Sequence, residues 1–290
     1  MQTREISRII LNFVPDFIPC SNSNTESTRI LRSVLNKWDK SEHTCFLSTC
    51  GGFFNWKVRD LELTTSWIDI ANKCEHVLCR ELKHLTSSFK RISRNIKYLT
   101  IGADFFKDSS EEPFNTRAPH SELVAVYDIK KRKIVHITGK SHPTGAQKRN
   151  LIAAPMESHF MRDENRRVLI LGCHDLNMFS KRAYACNRAG GHVRQYMKWI
   201  MAKAKRLRIK TIIQHPHTTD SHRIWLLGWA GVNKLLRPDH YAGTGKYFDY
   251  SGEERSDLDE VLSYTRHGNV LDIVVSRDKQ KYKYHVDFRT

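Results

Sequence analysis

Long apolar runs are missing from this sequence. No stretch of about 18 apolar residues occurs, so the length a helix needs to cross a bilayer is not there. Residues 1–5 lack the apolar region of a secretory leader, and a cytoplasmic protein with no membrane partner is expected. Cysteine is sparse and odd in number, seven in 290 residues, which fits reduced thiols better than a disulfide framework. Glycine and proline, 14 and 8, are too few for a fibrous or low-complexity chain. The Walker A loop, the His-Glu-x-x-His helix and the zinc-deaminase pattern are all absent, which removes the most specific phosphate, metalloprotease and deaminase signatures.

Acidic residues are also scarce, but only in one place. Residues 117–210 hold 21 Lys and Arg against 6 Asp and Glu, whereas 1–116 hold 16 against 14 and 211–290 hold 11 against 11. The formal charge of +17 therefore belongs to the middle third. Such a segment attracts phosphate polymers or nucleotides by steering and counterion release, so a nucleic-acid or nucleotide partner is expected, with a protein partner as a further option.

What is present points to an α/β fold with a mixed sheet. Apolar residues at Trp67, Ile70, Ala71, Cys74, Val77, Leu78, Leu82 and Leu85 make the stripe of an amphipathic helix, so residues 1–94 read as a helix-rich N-terminal region. Residues 95–290 read as an α/β domain that carries the chemistry. There, 96–106, 122–127 and 133–138 are strand-like, and the last two are joined as a hairpin. The run 168–171, a helix over 191–207, a short strand at 211–213 and a helix over 221–236 compose a βαβα unit at 167–236, which implies parallel strands. A helix at 257–265 and strands at 270–275 and 282–288 close the chain.

Nine of the fifteen histidines lie between 120 and 222, six of them in the basic segment and the other three just after it. Two polar loops directly follow apolar strands: Gly172-Cys173-His174-Asp175 and Gln214-His215-Pro216-His217 with Asp220. Strand ends are where open α/β sheets bind ligands. Imidazoles and carboxylates suit a divalent cation, Zn²⁺, Mn²⁺ or Mg²⁺, so His174, Asp175, His215, His217 and Asp220 are candidate ligands, with His142 from the loop after the hairpin as a proton donor. Metal-free acid/base chemistry with His174 or His217 as base is the alternative. A purely structural role, with Asp220 or Ser221 capping the helix that follows, is the third. Lys181, Arg182, Arg188, Arg194 and Lys198 are candidate phosphate contacts. Cys45, Cys50, Cys74 and Cys79 are spaced unlike a zinc knuckle, and the loop Gly243-Thr244-Gly245-Lys246 lacks the full phosphate-loop spacing.

The fragment 168–175, a strand followed by Gly-Cys-His-Asp, resembles the Gly-Asn-His-Asp element of calcineurin-like metallophosphoesterases, with Cys173 where they carry Asn. Gln214 to His217 is similar to their Gly-His-x-His element, and their upstream Asp-x-His and Gly-Asp elements are missing. The expectation from residues and charge together is a metal-dependent phosphoester hydrolase, a nuclease or nucleotide-directed enzyme. Its alternative is a non-enzymatic nucleic-acid-binding protein or a basic subunit of a larger nucleoprotein assembly.

Overall fold

A computed structural model describes residues 4–12, 23–37, 44–92, 96–108, 118–143, 147, 149–163, 166–180, 191–217, 222–243, 266–267, 270–278 and 281–289. The first sheet draws on β1 (Arg4–Asn12), β2 (Thr44–Ser48), β3 (Phe54–Val58), β4 (Ile96–Lys107), β5 (His120–Asp128) and β6 (Lys133–Gly139). The second contains β7 (Phe160–Asp163), β8 (Arg166–Leu171), β9 (Thr211–Gln214), β10 (His240–Gly243) and β11 (Arg266–His267). The chain then returns to the first sheet with β12 (Val270–Asp278) and β13 (Lys281–Arg289). Strand order is β13-β12-β1-β2-β4-β5-β6, with β3 also on β4, and β11-β10-β9-β8-β7. Parallel and antiparallel pairs occur in both sheets, as the α/β reading requires.

Period-2 alternation sorts the side chains of these strands into layers. Tyr98, Val124 and Val126 from the first sheet meet Val168, Ile170 and Ile213 from the second, which makes an apolar layer between the sheets. The opposite face of the first sheet, with Leu99, Ile101, Leu123 and Ala125, packs on α1 (Asn24–Lys37), α2 (Trp67–Lys83) and α3 (Thr86–Ile92). The opposite face of the second, with Leu169, Leu171 and Ile212, packs on α4 (Gly191–Arg206) and α5 (His222–Leu236). Helices therefore cover both outer faces of a two-sheet sandwich.

Local chemistry accounts for the clearest elements. Ser66 caps α2, its side chain accepting from the Asp69 main-chain N–H at 3.1 Å, and the predicted stripe turns Ile70, Cys74, Leu78 and Leu82 inward. The hairpin forms as β5 and β6. The βαβα unit forms as β8, α4, β9 and α5, with β8 and β9 parallel. The division at 94/95 falls inside the first sheet, because β2 pairs with β4. The front of the chain holds three strands beside its helices, and Cys45 sits within β2. Cys50 and Cys74 are buried thiols. The helix expected at 257–265 and the loop residues 244–246 lie outside the described residues. Among the described residues no helix is long and apolar enough to cross a membrane.

Candidate active site

The apolar layer between the sheets ends abruptly in buried polar groups. On β4 and β5 the inward series passes from Tyr98, Val126 and Val124 to Glu122, Asp104 and His120, all buried. Asp104 and Glu122 are direct cross-strand partners, so two carboxylates face each other inside the protein. Like charges in that position are destabilising unless cations are supplied, and the loops beyond the strand ends supply them.

Lys140, the residue after β6, is the first. Its side chain is 1% exposed, and Nζ donates to Glu122 Oε1 at 2.9 Å and to Gln147 Oε1. Gln147 Nε2 donates to the same carboxylate oxygen at 2.8 Å. Burial alone would push the Glu122 carboxyl up, but Lys140, His217 and His120 hold it down at about 2. Burial likewise disfavours the Lys140 ammonium, and Glu122 and Cys173 more than offset this.

His217 is the second cation. Its Nε2 donates to Asp104 Oδ2 at 2.6 Å, and its Nδ1 faces Glu122 Oε2 at 3.4 Å. Burial opposes its charged form, yet the two carboxylates raise its pKa well above the ordinary value. An interruption in the first sheet makes this placement possible. β2 and β3 lie one after the other along β4, and residues 49–53 leave the ladder between them. The backbone of that detour holds the 215–217 loop: His215 Nδ1 donates to the Thr49 carbonyl at 2.7 Å, and the Gly51 N–H donates to the Pro216 carbonyl at 3.0 Å. Gly51 is required there, because a Cβ would lie 2.7 Å from the His215 carbonyl and 2.9 Å from His217 Nδ1.

Cys173 stands between these groups at the end of β8. It is 4% exposed, and its sulfur accepts from the His217 main-chain N–H at 3.4 Å. Burial pushes the thiol up, but the imidazoles of His174 and His217 bring it down to about 5, and the thiol in turn raises the pKa of His174 against burial. A sulfur so placed is a thiolate near neutrality and hence a nucleophile. Its backbone is fixed by Gln214, whose Nε2 donates to the Cys173 carbonyl at 2.8 Å.

Asp175 positions the loops. Oδ1 accepts from the main-chain N–H groups of Ser141 at 3.0 Å and His142 at 2.8 Å, and Oδ2 accepts from the Gly172 N–H at 2.9 Å. The loop bearing Lys140 is thereby tied to the turn bearing Cys173. Gly172 permits the approach, since a Cβ there would meet the Lys140 backbone at 2.8 Å.

The candidates read from the sequence thus separate. His174 and His217 do converge, on the Cys173 sulfur. His142 contributes its main-chain N–H to Asp175. His215 turns to the Thr49 carbonyl, and its burial lowers its pKa to about 3. Arg194 and Lys198 are exposed on α4, over the outer face of the second sheet. Asp220, Lys181, Arg182 and Arg188 lie outside the described residues. Sequence reasoning missed Asp104, Glu122, Lys140 and Cys173, although acids inside otherwise apolar strands were a readable signal, because carboxylates are seldom buried unpaired.

No family model and no curated protein matches the sequence. Solved structures similar in fold include an amidase from Nesterenkonia sp. (11% identity, 85% of this chain and 77% of that one, TM-score 0.48). A mutant of the Nesterenkonia AN1 amidase, from the nitrilase superfamily, gives 11%, 86%, 80% and 0.48, and a glutamine-dependent NAD+ synthetase from Acinetobacter baumannii gives 12%, 79%, 37% and 0.43. The expectation of a metal-dependent phosphoester hydrolase or nuclease with bound Zn²⁺, Mn²⁺ or Mg²⁺ is corrected. The site is not built for it. Asp175 has given both oxygens to backbone N–H groups, and His215 points elsewhere. Glu122, Cys173 and His217 do offer atoms within 4.8 Å of one another, but the Lys140 ammonium occupies the same carboxylate, where it repels a dication. The likeness to the metallophosphoesterase fragments ends at Cys173, the residue that departs from them.

Proposed function

We propose that the protein is a cysteine hydrolase that cleaves a carbon–nitrogen bond of an amide through a thioester on Cys173. The observation that carries this reading is the buried Cys173 sulfur, at a strand end, receiving the His217 N–H and flanked by the Lys140–Glu122 pair. The thiolate attacks the carbonyl carbon, the carbonyl electron pair moves to oxygen, and Lys140 supplies positive charge to that oxygen. Two buried carboxylates beside the sulfur disfavour a phosphate dianion and favour an uncharged carbonyl group. Hydrolysis of simple primary amides, followed by ammonia release, tests the proposal. Activity in the wild type that is absent from folded Cys173→Ala supports it, and activity retained by Cys173→Ala removes it.

For the basic excess of 117–210 we keep the expectation of an anionic partner, a nucleic acid or nucleotide, and assign it to the outer face of α4, where Arg194 and Lys198 are exposed. Lys198 also rims a groove of about 980 Å³ with Lys205 and Lys234. Salt-sensitive binding that survives Cys173→Ala supports this, and no binding at low salt removes it.

A further inference from the structure

We propose that His217, held by Asp104, is the group that carries protons in this reaction, so that a cysteine, an imidazole and a carboxylate from three separate strands or strand ends act as a unit beside the Lys140–Glu122 pair. The inference rests on the reading of Cys173 as the nucleophile.

An amide needs a proton on its nitrogen before that nitrogen can leave, and the thioester needs a base to deprotonate water. Glu122 is a poor candidate for either task. Its Oε1 already accepts from Lys140 and Gln147, its Oε2 has no hydrogen-bond partner among the described residues and faces His217 Nδ1 at 3.4 Å, and its carboxyl is held strongly acidic. Lys140 is a poor base, because its ammonium donates to both Glu122 and Gln147. Asp175 is consumed by three backbone donors. His174 has its Nδ1 against Asn177 Nδ2 at 3.3 Å, and no carboxylate lies within ion-pair distance of it among the described residues.

His217 has what the others lack. Nε2 is fixed on Asp104 Oδ2 at 2.6 Å, which orients the ring and stabilises its protonated form. The same residue's main-chain N–H is on the sulfur, so the loop that bears the ring is tied directly to the thiolate. In the first half-reaction the S–C bond forms, the C–N bond breaks, and the amine leaves with a proton from His217. In the second, His217 takes a proton from water, the O–C bond forms, and the C–S electron pair returns to sulfur. The sum is amide and water giving acid and amine. Asp104 touches only the imidazole and is a positioning residue.

The ring packs on Gly51 and Gly52, at which a Cβ would come within 2.9 Å of it. Its removal therefore leaves a ring-shaped space open to a small base, and this shapes the test. Whole protein is mixed with p-nitrophenyl acetate, whose leaving group needs no proton. The burst of p-nitrophenolate reports acetylation, and mass spectrometry follows the acetyl group on Cys173. The wild type acetylates and clears. His217→Ala acetylates but clears on the order of 10²–10⁴-fold more slowly, and added imidazole restores part of that rate. Asp104→Asn falls between, with no help from imidazole, because its own ring is present. If the alanine variant unfolds, His217→Gln, which keeps a donor toward Asp104 but carries no transferable proton, gives the same slow clearance. Clearance as fast as wild type in either His217 variant, or slow clearance in folded His217→Ala that imidazole leaves unchanged, overturns the relay. A wild type without an acetyl group on Cys173, or a Cys173→Ala with an equal burst, overturns the nucleophile reading and the relay with it.

Discussion

The two sheets differ in what they bring to the site. The first supplies charge from within regular strands: Asp104 and Glu122 are ladder partners, their positions set by a register that also places Val124 and Val126 in the apolar layer. The second supplies reactive groups from just beyond its strands, Cys173 after β8 and His217 after β9. A residue inside a ladder has little freedom to move, because a one-residue slip would turn its whole strand inside out. Fixed carboxylates therefore belong on strands. Groups that exchange bonds and protons sit on turns, which can present a sulfur or a ring at a chosen angle, provided other contacts make the turns rigid. Asp175 and the 49–53 detour provide that rigidity.

Four measurements would break or sharpen this contrast. The largest effect is expected from Lys140→Met. It leaves the Glu122 carboxylate buried without its main cation and should cost roughly 3–5 kcal/mol in urea unfolding. A loss below about 1 kcal/mol would mean that the first sheet's charges are not set by this pair. Pairing the change with Glu122→Gln should recover part of the loss. Next is Asp175→Asn, which replaces an acceptor oxygen by an amide that faces backbone donors. It should cost on the order of 1–3 kcal/mol and lower the rate of Cys173 acetylation, since the Lys140 loop and the Cys173 turn lose their tie. Unchanged acetylation would show that the second sheet's turns are rigid without it.

Smaller in energy, though diagnostic, is the pH profile of Cys173 alkylation by iodoacetamide. With the thiol at about 5 rather than near the ordinary cysteine value of about 8.5, the reactive thiolate is present above about pH 5 and is lost only as the pH falls through that value. The rate should stay level from about pH 8 down to about pH 6, where an ordinary cysteine loses about tenfold per pH unit. A tenfold fall per unit between 8 and 6 would refute the thiolate assignment. The smallest effect is expected from Ser66→Ala at the start of α2, about 1 kcal/mol of stability with no change in Cys173 reactivity. A change in that reactivity would couple the outer helices to the site, which the layered arrangement does not allow for.

Some of this was legible before the structure. The apolar stripe of α2, the β5–β6 hairpin and the β8–α4–β9–α5 unit all follow from periodicity and turn residues close in sequence. Of the residues in the strand-end loops, His174 and His217 both lie beside the Cys173 sulfur. β2 and β3 were hidden because they are only five residues each and find their pairing on β4, about fifty residues away, and β1 because its partners β2 and β12 are also remote in sequence. The site chemistry was misread for a related reason. His174 next to Asp175 suggested a ligand pair, but Asp175 turns to the backbone N–H groups of residues 141, 142 and 172. The carboxylates that matter, Asp104 and Glu122, were counted only as members of strands.

By itself the sequence determined the fold class, the hairpin, the crossover unit and the basic middle third. Each of these is set by neighbours in the chain or by summed composition. The tertiary structure alone decided which acid meets which base, because Asp104, Glu122, Lys140, Cys173 and His217 span more than a hundred residues and are brought together only by β-ladder register and loop contacts. That same packing buries the cluster, and burial strengthens each pairing, so that His174 and His217 hold the Cys173 thiol down at about 5 against its own desolvation.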